Sequence, residues 1–386
     1  MSGKAAIVGV GESDIGKVPG RTVLQLIAQA TAEALDDAGL AKDDIDAVFT
    51  AFSPIGMVDL PAVTVADYLG LKPPAYTDST AIGGSAFLAH VQHAAAAIAA
   101  GICEVALIVY GSTQLSSRGK QVLGGVYAGM PQADYEHPYG IPLPIGGYAL
   151  AAMRHRHRYG TTSEQLAAVT VASRKWAAMS PRAYRREPVT IDDVLSSTML
   201  CDPLHALDCC LVTDGGGAVI VTSAQRARDL RKAPAVVLGT GETHTHRGIT
   251  QMPDLTTTGA VESGRRAFAM AGLSPRDVQV AQVYDSFTIT VVETLEDLGF
   301  CAKGEGGAFV ASGAIEPGGA LPLNTMGGGI SYTHPGMLGI FLLVEGVRQL
   351  RGEAGERQVP GVDVALCHGT GGQLSSSATV LLGRGV

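Results

Sequence analysis

The chain has 386 residues, 46% of them hydrophobic, and a net charge of −8. That supports one large or two medium domains with a sizeable core and argues against a disordered chain. The acidic balance argues against a general nucleic-acid binder, and no run approaches the ~18 uninterrupted apolar residues of a transmembrane helix.

The opening Met1-Ser2-Gly3-Lys4 runs straight into a strand-like Ala5-Ala6-Ile7-Val8, which does not read as a signal peptide. Gly9-Val10-Gly11-Glu12-Ser13 follows, then a helical pattern from Leu24 to Leu35, Ala38-Gly39-Leu40, and Asp44-Ile45 leading into another strand. A further helix begins near Ile82-Gly83-Gly84-Ser85-Ala86 and ends at Ala99-Ala100-Gly101, ahead of the strand Glu104-Val105-Ala106-Leu107. From about Gly111 to Val212 the pattern changes. Two helical segments, Tyr148 to Tyr159 and Ser163 to Ala178, stand among Pro- and Gly-rich loops such as Tyr135 to Gly147. A long insertion of this kind on a rigid scaffold reads as a lid or substrate-binding layer.

The first signatures then return in the same order. Ala235 to Leu238 leads into Gly239-Thr240-Gly241-Glu242-Thr243, and a helical pattern from Gly264 to Met270 leads into Ala271-Gly272-Leu273 and Asp277-Val278. Asp363-Val364-Ala365-Leu366 later matches Glu104 to Leu107. Ordered matches of this kind mark an internal duplication, although βα periodicity with glycine turns gives partial matches too. The expected fold is therefore α/β, with two pseudo-symmetric halves and sheets layered by helices. The expected divisions are residues 1–111 with 213–230, an inserted layer at 112–212, and residues 231–386.

Cys103, Cys201, Cys209, Cys210, Cys301 and Cys367 form no Cys-x-x-Cys pair, so no zinc ribbon or other metal site is expected within the chain. A reduced, cytoplasmic setting is the simplest reading.

The most specific motifs lie in the second half of the chain. They are Leu207-Asp208-Cys209-Cys210, Thr213-Asp214-Gly215-Gly216-Gly217-Ala218, Tyr284-Asp285-Ser286-Phe287-Thr288, Leu321-Pro322-Leu323-Asn324-Thr325 and Ser331-Tyr332-Thr333-His334-Pro335-Gly336. Together they resemble the thiolase superfamily over essentially the whole chain, and within it the thiolase-like lipid-transfer-protein branch, which includes aldolases that shorten steroid side chains. The resemblance implies the layered αβαβα form of the fold.

It also implies four active-site loops. The first normally carries a nucleophilic cysteine at a helix N-terminus, where the dipole favours a thiolate; here that position falls at about Gly84, beside Ser85. A serine hydroxyl needs an adjacent base, and no precedent for one comes with the resemblance. The second loop is Tyr284-Asp285-Ser286-Phe287, whose first residue normally helps to bind the thioester oxyanion. Tyr284 supplies a donor there, although a phenol closing an apolar strand also reads as a core residue. The third loop keeps His334, with Tyr332 two residues before it. The fourth keeps Cys367 at the place of a proton-shuttling cysteine, although a cysteine after an apolar run is often inert.

A thiolase without its cysteine cannot form the usual acyl-enzyme but retains the means to stabilise a thioester enolate. The implied reaction is retro-aldol cleavage of a β-hydroxyacyl-CoA, such as a steroid side-chain thioester, to a ketone or aldehyde and a shorter acyl-CoA such as propanoyl-CoA. Tyr284 and Tyr332 are the candidates for proton transfer, with His334 orienting or polarising and Asp285 in support. The alternatives are a degenerate thiolase acting through Cys367 or Ser85, and a non-catalytic acyl-CoA-binding scaffold. Coenzyme A enters as part of the substrate, with no permanently bound cofactor expected. The resemblance further implies a homodimer and a separate partner of the DUF35 type, with a zinc ribbon and an OB-fold. The basic segment from Arg154 to Arg186, and Arg182, Arg185 and Arg186 in particular, is the candidate for the CoA phosphates; a solvated or partner-facing helix surface is the plainer reading.

Overall fold

A computed structural model describes residues 2–52, 59–117, 131–142 and 144–385. Eleven strands are present among them: β1 (Ala5–Glu12), β2 (Ala47–Thr50), β3 (Tyr76–Asp78), β4 (Val105–Ser112), β5 (Met199–Cys201), β6 (Leu204–His205), β7 (Gly215–Ser223), β8 (Ala235–His244), β9 (Val280–Val283), β10 (Val364–Gly371) and β11 (Ser376–Arg384). Nine of these form one mixed sheet in the order β3-β2-β4-β7-β1-β8-β11-β10-β9. The two halves of the chain meet where β1 pairs with β8, through Ala6 opposite Val236 and Ile7 opposite Ala235. Each half repeats one local pairing: β2 runs parallel to β4, and β9 parallel to β10.

The repeated Gly-x-Gly motif has a packing cause. A side chain on Gly9 or Gly11 would overlap the carbonyls of Ala34 and Ala30 in helix α1 (Val23–Ala38). One on Gly239 or Gly241 would overlap the carbonyls of Ala267 and Ser263 in the helix Ala260–Ala271. Strand and helix backbones therefore touch in both halves, and only glycine permits that approach. Both helices also end on a left-handed glycine, Gly39 and Gly272, which explains the second repeated motif.

Three apolar clusters give the layers. One buries α1 and α2 (Pro61–Leu69) against the outer face of the N-terminal strands. The largest lies between the two halves of the sheet, where Phe87, Leu88 and Val91 of helix α3 (Ala86–Ala99) meet Phe341, Leu343 and Val344 of the helix Gly339–Arg351. The third packs the helices Ala260–Ala271 and Thr288–Asp297 on the outer face of the C-terminal strands. The inserted helices Ile145–Tyr159 and Ser163–Ala178 join this last cluster, the Tyr148 ring lying 4.4 Å from that of Phe287. No helix among the described residues is long and apolar enough to cross a membrane.

Candidate active site

Tyr284 stands at the end of β9. Its backbone N–H continues the ladder to the His368 carbonyl (2.9 Å), and Asn324 clasps the preceding Val283 through both backbone groups (2.7 and 2.8 Å). The next residue, Asp285, points into the turn Gly328–Tyr332 and accepts the N–H groups of Gly329 (2.6 Å) and Ile330 (3.2 Å). Burial pushes its carboxyl up to about 7 despite these bonds. The turn delivers His334, whose backbone N–H is held by the Thr213 hydroxyl at 2.8 Å. Thr213 is itself bonded to the Thr333 hydroxyl at 2.8 Å.

The result is a phenol–imidazole pair. The Tyr284 hydroxyl lies 2.8 Å from His334 Nε2, and the two rings meet edge-on at 87°. The Leu338 N–H donates to the phenol oxygen at 3.2 Å. Burial lowers His334 to about 4 and raises Tyr284 well above 10. Both groups are thus neutral near pH 7, and in the Nδ1–H tautomer of His334 the phenol donates to Nε2.

The first loop is a short 3-10 turn, Gly83–Ser85, that opens α3. A side chain on Gly84 would overlap the Tyr284 ring. A side chain at Gly84 and the Tyr284 ring therefore exclude one another. Ser85 is buried, its hydroxyl shared between the Ile82 carbonyl (2.9 Å) and Ser376 Oγ (2.8 Å), with no base among these partners. A cavity of about 510 Å³ opens beside this point, walled by Gly83, Ile82, Gly336, Met337, Phe52 and Tyr110.

The other expected residues lie elsewhere. Tyr332 is buried, and its hydroxyl donates to Glu12 at 3.0–3.1 Å. Glu12 also pairs with Arg348 (2.6 Å) and Arg182 (3.2 Å). Burial would raise this carboxyl, but Arg348 and Arg182 outweigh it and hold Glu12 below its ordinary value. Tyr332 therefore does not share the Tyr284–His334 hydrogen bond. Cys367 is fully buried, its thiol on the Leu342 carbonyl at 3.3 Å and packed against Gly346, and burial raises it far above the ordinary thiol range. Arg182 is committed to Glu12 and to the Ser13 carbonyl. Arg185 lies over the Tyr184 ring, and Arg186 donates to the Ala178 carbonyl at 3.1 Å. Among the other basic residues of that segment, Arg158 pairs with Asp254 and Lys175 with Glu316.

Comparison with known proteins agrees with this fold. A family model described as thiolase C-terminal domain-like matches residues 241–384. The 17-hydroxy-3-oxo-4-pregnene-20-carboxyl-CoA lyase of Mycobacterium tuberculosis is 41% identical, over 96% of this chain and 97% of that protein. The chain belongs to the thiolase-like aldolases. A steroid side-chain-cleaving aldolase of Thermomonospora curvata is 37% identical over 96% of each chain. A solved structure titled Ltp2-ChsH2(DUF35) aldolase superposes with a TM-score of 0.89 at 34% identity, covering 99% of this chain and 98% of that one. The layered thiolase-like fold expected from the motifs is thus observed.

Sequence reasoning missed Thr213 as the support of His334 and Glu12 as the partner of Tyr332. Thr213 had a signal, since it opens the Thr-Asp-Gly-Gly-Gly motif. Glu12 had none beyond the repeated Gly-x-Gly-Glu.

Proposed function

We propose that this chain is a carbon–carbon lyase that cleaves a β-hydroxyacyl-CoA by a retro-aldol step, with Tyr284 and His334 moving the proton. The observation that carries this reading is the Tyr284 phenol, which takes the place of the thiolase nucleophile and bonds to the retained histidine. The β-hydroxyl proton passes to the Tyr284–His334 pair. The electron pair it leaves becomes the new C=O bond, and the Cα–Cβ pair moves onto Cα and the thioester oxygen. The enolate then recovers the proton at Cα, so no proton is gained or lost overall. Burial disfavours a free phenolate here, so the proton moves from substrate through Tyr284 to Nε2 in concert with bond cleavage, and the imidazolium so formed is paired with the enolate until it returns the proton through Tyr284. The Leu338 N–H holds the phenol oxygen in place during that transfer.

The substrate class follows from the relatives. On 17-hydroxy-3-oxo-4-pregnene-20-carboxyl-CoA, the 17-hydroxyl is β to the thioester carbonyl and C20 is the α-carbon. Breaking C17–C20 leaves a 17-ketone and propanoyl-CoA. In this reading the chain acts on a thioester of that kind, as a homodimer in the cytoplasm, together with a separate DUF35-type protein. The basic residues between Arg154 and Arg186 that are not already committed to the fold meet the CoA phosphates; Arg182 lies outside that group because Glu12 holds it. Cys367 and Ser85 take no part in acyl transfer.

The test incubates the protein, alone and with its co-purified partner, with that thioester and follows products by mass spectrometry. Release of the 17-ketone and propanoyl-CoA without any acyl-protein mass is expected. An acyl group trapped on Ser85 or Cys367 would instead establish a thiolase-type reaction.

A further inference from the structure

The cavity beside Gly83 also has a polar part to its lining. There it is lined by Gln132, Gln373, His246, Arg247 and Pro144. Gln132 is 1% exposed, yet neither its amide nitrogen nor its amide oxygen has a partner among the described residues. Gln373 is 5% exposed; its nitrogen reaches the Pro144 carbonyl at 3.3 Å, and its Oε1 is also unpartnered. A side chain on Gly248, the residue after Arg247, would stand 3.3 Å from Gln132 Nε2, so the glutamine sits against that backbone. His246 is fully engaged, with Nε2 on the Gln373 carbonyl (2.9 Å) and Nδ1 on the Thr245 hydroxyl (2.8 Å), and it fixes the backbone that carries Gln373. The apolar walls Phe52, Ile82 and Met337 belong to the same cavity.

Burying one amide without a partner is unfavourable, and here a donor and three acceptors are left unpaired in one region, the third acceptor being Oε2 of the buried Glu136 beside Gln132. A ligand that brings an oxygen to these groups removes the penalty. An apolar ligand leaves it in place, which is how a buried polar site rejects a deoxy analogue. We infer that Gln132, aided by Gln373, is a specificity determinant that recognises an oxygen substituent on the substrate's apolar body. The inference rests on the retro-aldolase reading for the identity of the reacting end. A keto and a hydroxyl group share the required chemistry. A keto oxygen would use only the Gln132 donor, whereas a hydroxyl would use the donor and one acceptor.

The test has a binding arm and a turnover arm. Isothermal titration calorimetry compares free 17-keto steroids that carry a 3-keto group, a 3-hydroxyl group or no oxygen at C3. The wild-type protein should bind at least one oxygenated steroid about 10-fold more tightly than the 3-deoxy compound, the scale of a buried hydrogen bond with its desolvation penalty. The keto and hydroxyl forms are distinguished by which binds better. In Gln132→Met the preference should collapse towards unity, with the oxygenated ligand weakened and the deoxy ligand unchanged or improved. The same change of ratio should appear in kcat/KM for the matching thioesters. Equal binding of all three steroids by wild type, no binding of any, or an equal loss for all ligands in Gln132→Met overturns the inference. The wild-type series needs no variant, so it remains decisive even where Gln132→Met fails to fold. Selective steroid binding without cleavage of any thioester would refute the retro-aldolase reading and keep the polar recognition site.

Discussion

Gly84 and Tyr284 claim the same volume. A side chain built on Gly84 overlaps Cε2 of the Tyr284 ring and would lie 2.6 Å from its Cζ. A side chain at position 84 and this phenol are therefore alternatives, and in the proposed reading the phenol stands against His334 where a nucleophile is absent. Gly84→Ala should lower stability by about 1–3 kcal/mol, the usual cost of overpacking, and abolish turnover by displacing the ring. In a double-mutant cycle, Gly84→Cys combined with Tyr284→Ala should melt higher than Gly84→Cys alone. Thermal melts check this; additive losses would mean that the two side chains do not compete.

The phenol–imidazole pair should behave as one unit. Tyr284→Phe and His334→Ala should each reduce kcat by about 100-fold or more, the scale for a positioned acid or base. The double variant should be little worse than either single variant, because each removes the same proton path. Single-turnover kinetics with a β-hydroxyacyl-CoA provide the measurement, and fully multiplicative losses would argue for independent roles.

Tyr332 and Glu12 should matter chiefly to stability. Tyr332→Phe loses a hydrogen bond to a charged group and should cost about 1.5–3 kcal/mol. Glu12→Ala strands the Arg348 guanidinium beside the emptied site and should cost about 3–5 kcal/mol. Denaturant midpoints measure both. A 100-fold fall in kcat for Tyr332→Phe at unchanged stability would return Tyr332 to the chemistry.

The histidines set opposite pH limits. Burial holds His90 and His334 at about 4 and His368 at about 3, against 6.5 for an ordinary histidine. The unfolded chain therefore binds more protons between pH 6.5 and 3, and stability falls as the pH drops through that window. His93 behaves in reverse. Its hydrogen bonds to Asp78 (2.7 Å) and then Glu242 (3.3 Å) raise it to about 9. That stabilisation is complete below pH 6.5 and is lost as the pH rises through 9. Melting temperatures from pH 4 to 10 should show both limbs, and His93→Gln should flatten the alkaline one. The acid limb of kcat should lie near pH 4 rather than 6.5 if neutral His334 accepts the proton.

In the proposed reading, Arg182 serves the fold while Arg185 and Arg186 meet the CoA phosphates. Neutralising Arg185 and Arg186 together should raise the KM for the CoA thioester and weaken its salt dependence while sparing kcat. Arg182→Gln should instead lower the melting temperature, since Arg182 serves Glu12. Titration of CoA at two ionic strengths checks the first expectation, and unchanged affinity would assign Arg185 and Arg186 to a protein surface.

The duplication was legible because its causes are local. Gly-x-Gly marks a strand touching the helix that follows it, and Gly39 and Gly272 end helices, so each signal lies within one βα unit. Tyr284 and His334 were legible because short motifs surround them. A motif places a residue in the chain, however, and does not say what its side chain meets. Cys367 occupies the expected position in β10 but turns its thiol to Leu342, because the direction of a strand residue is set by the layer packed against it. Tyr332 stands two residues from His334, yet its partner Glu12 is 320 positions away and reaches it only when β1 crosses the middle of the sheet. The overlap of Gly84 with Tyr284 and the unpartnered Gln132 amide likewise exist only after both halves have packed. Sequence alone determined the fold and named Tyr284, Tyr332 and His334 as candidates, through short-range backbone and motif constraints. Tertiary structure decided that Tyr284 bonds to His334 while Tyr332 bonds to Glu12, because hydrogen-bond partners and excluded volume are properties of packed layers.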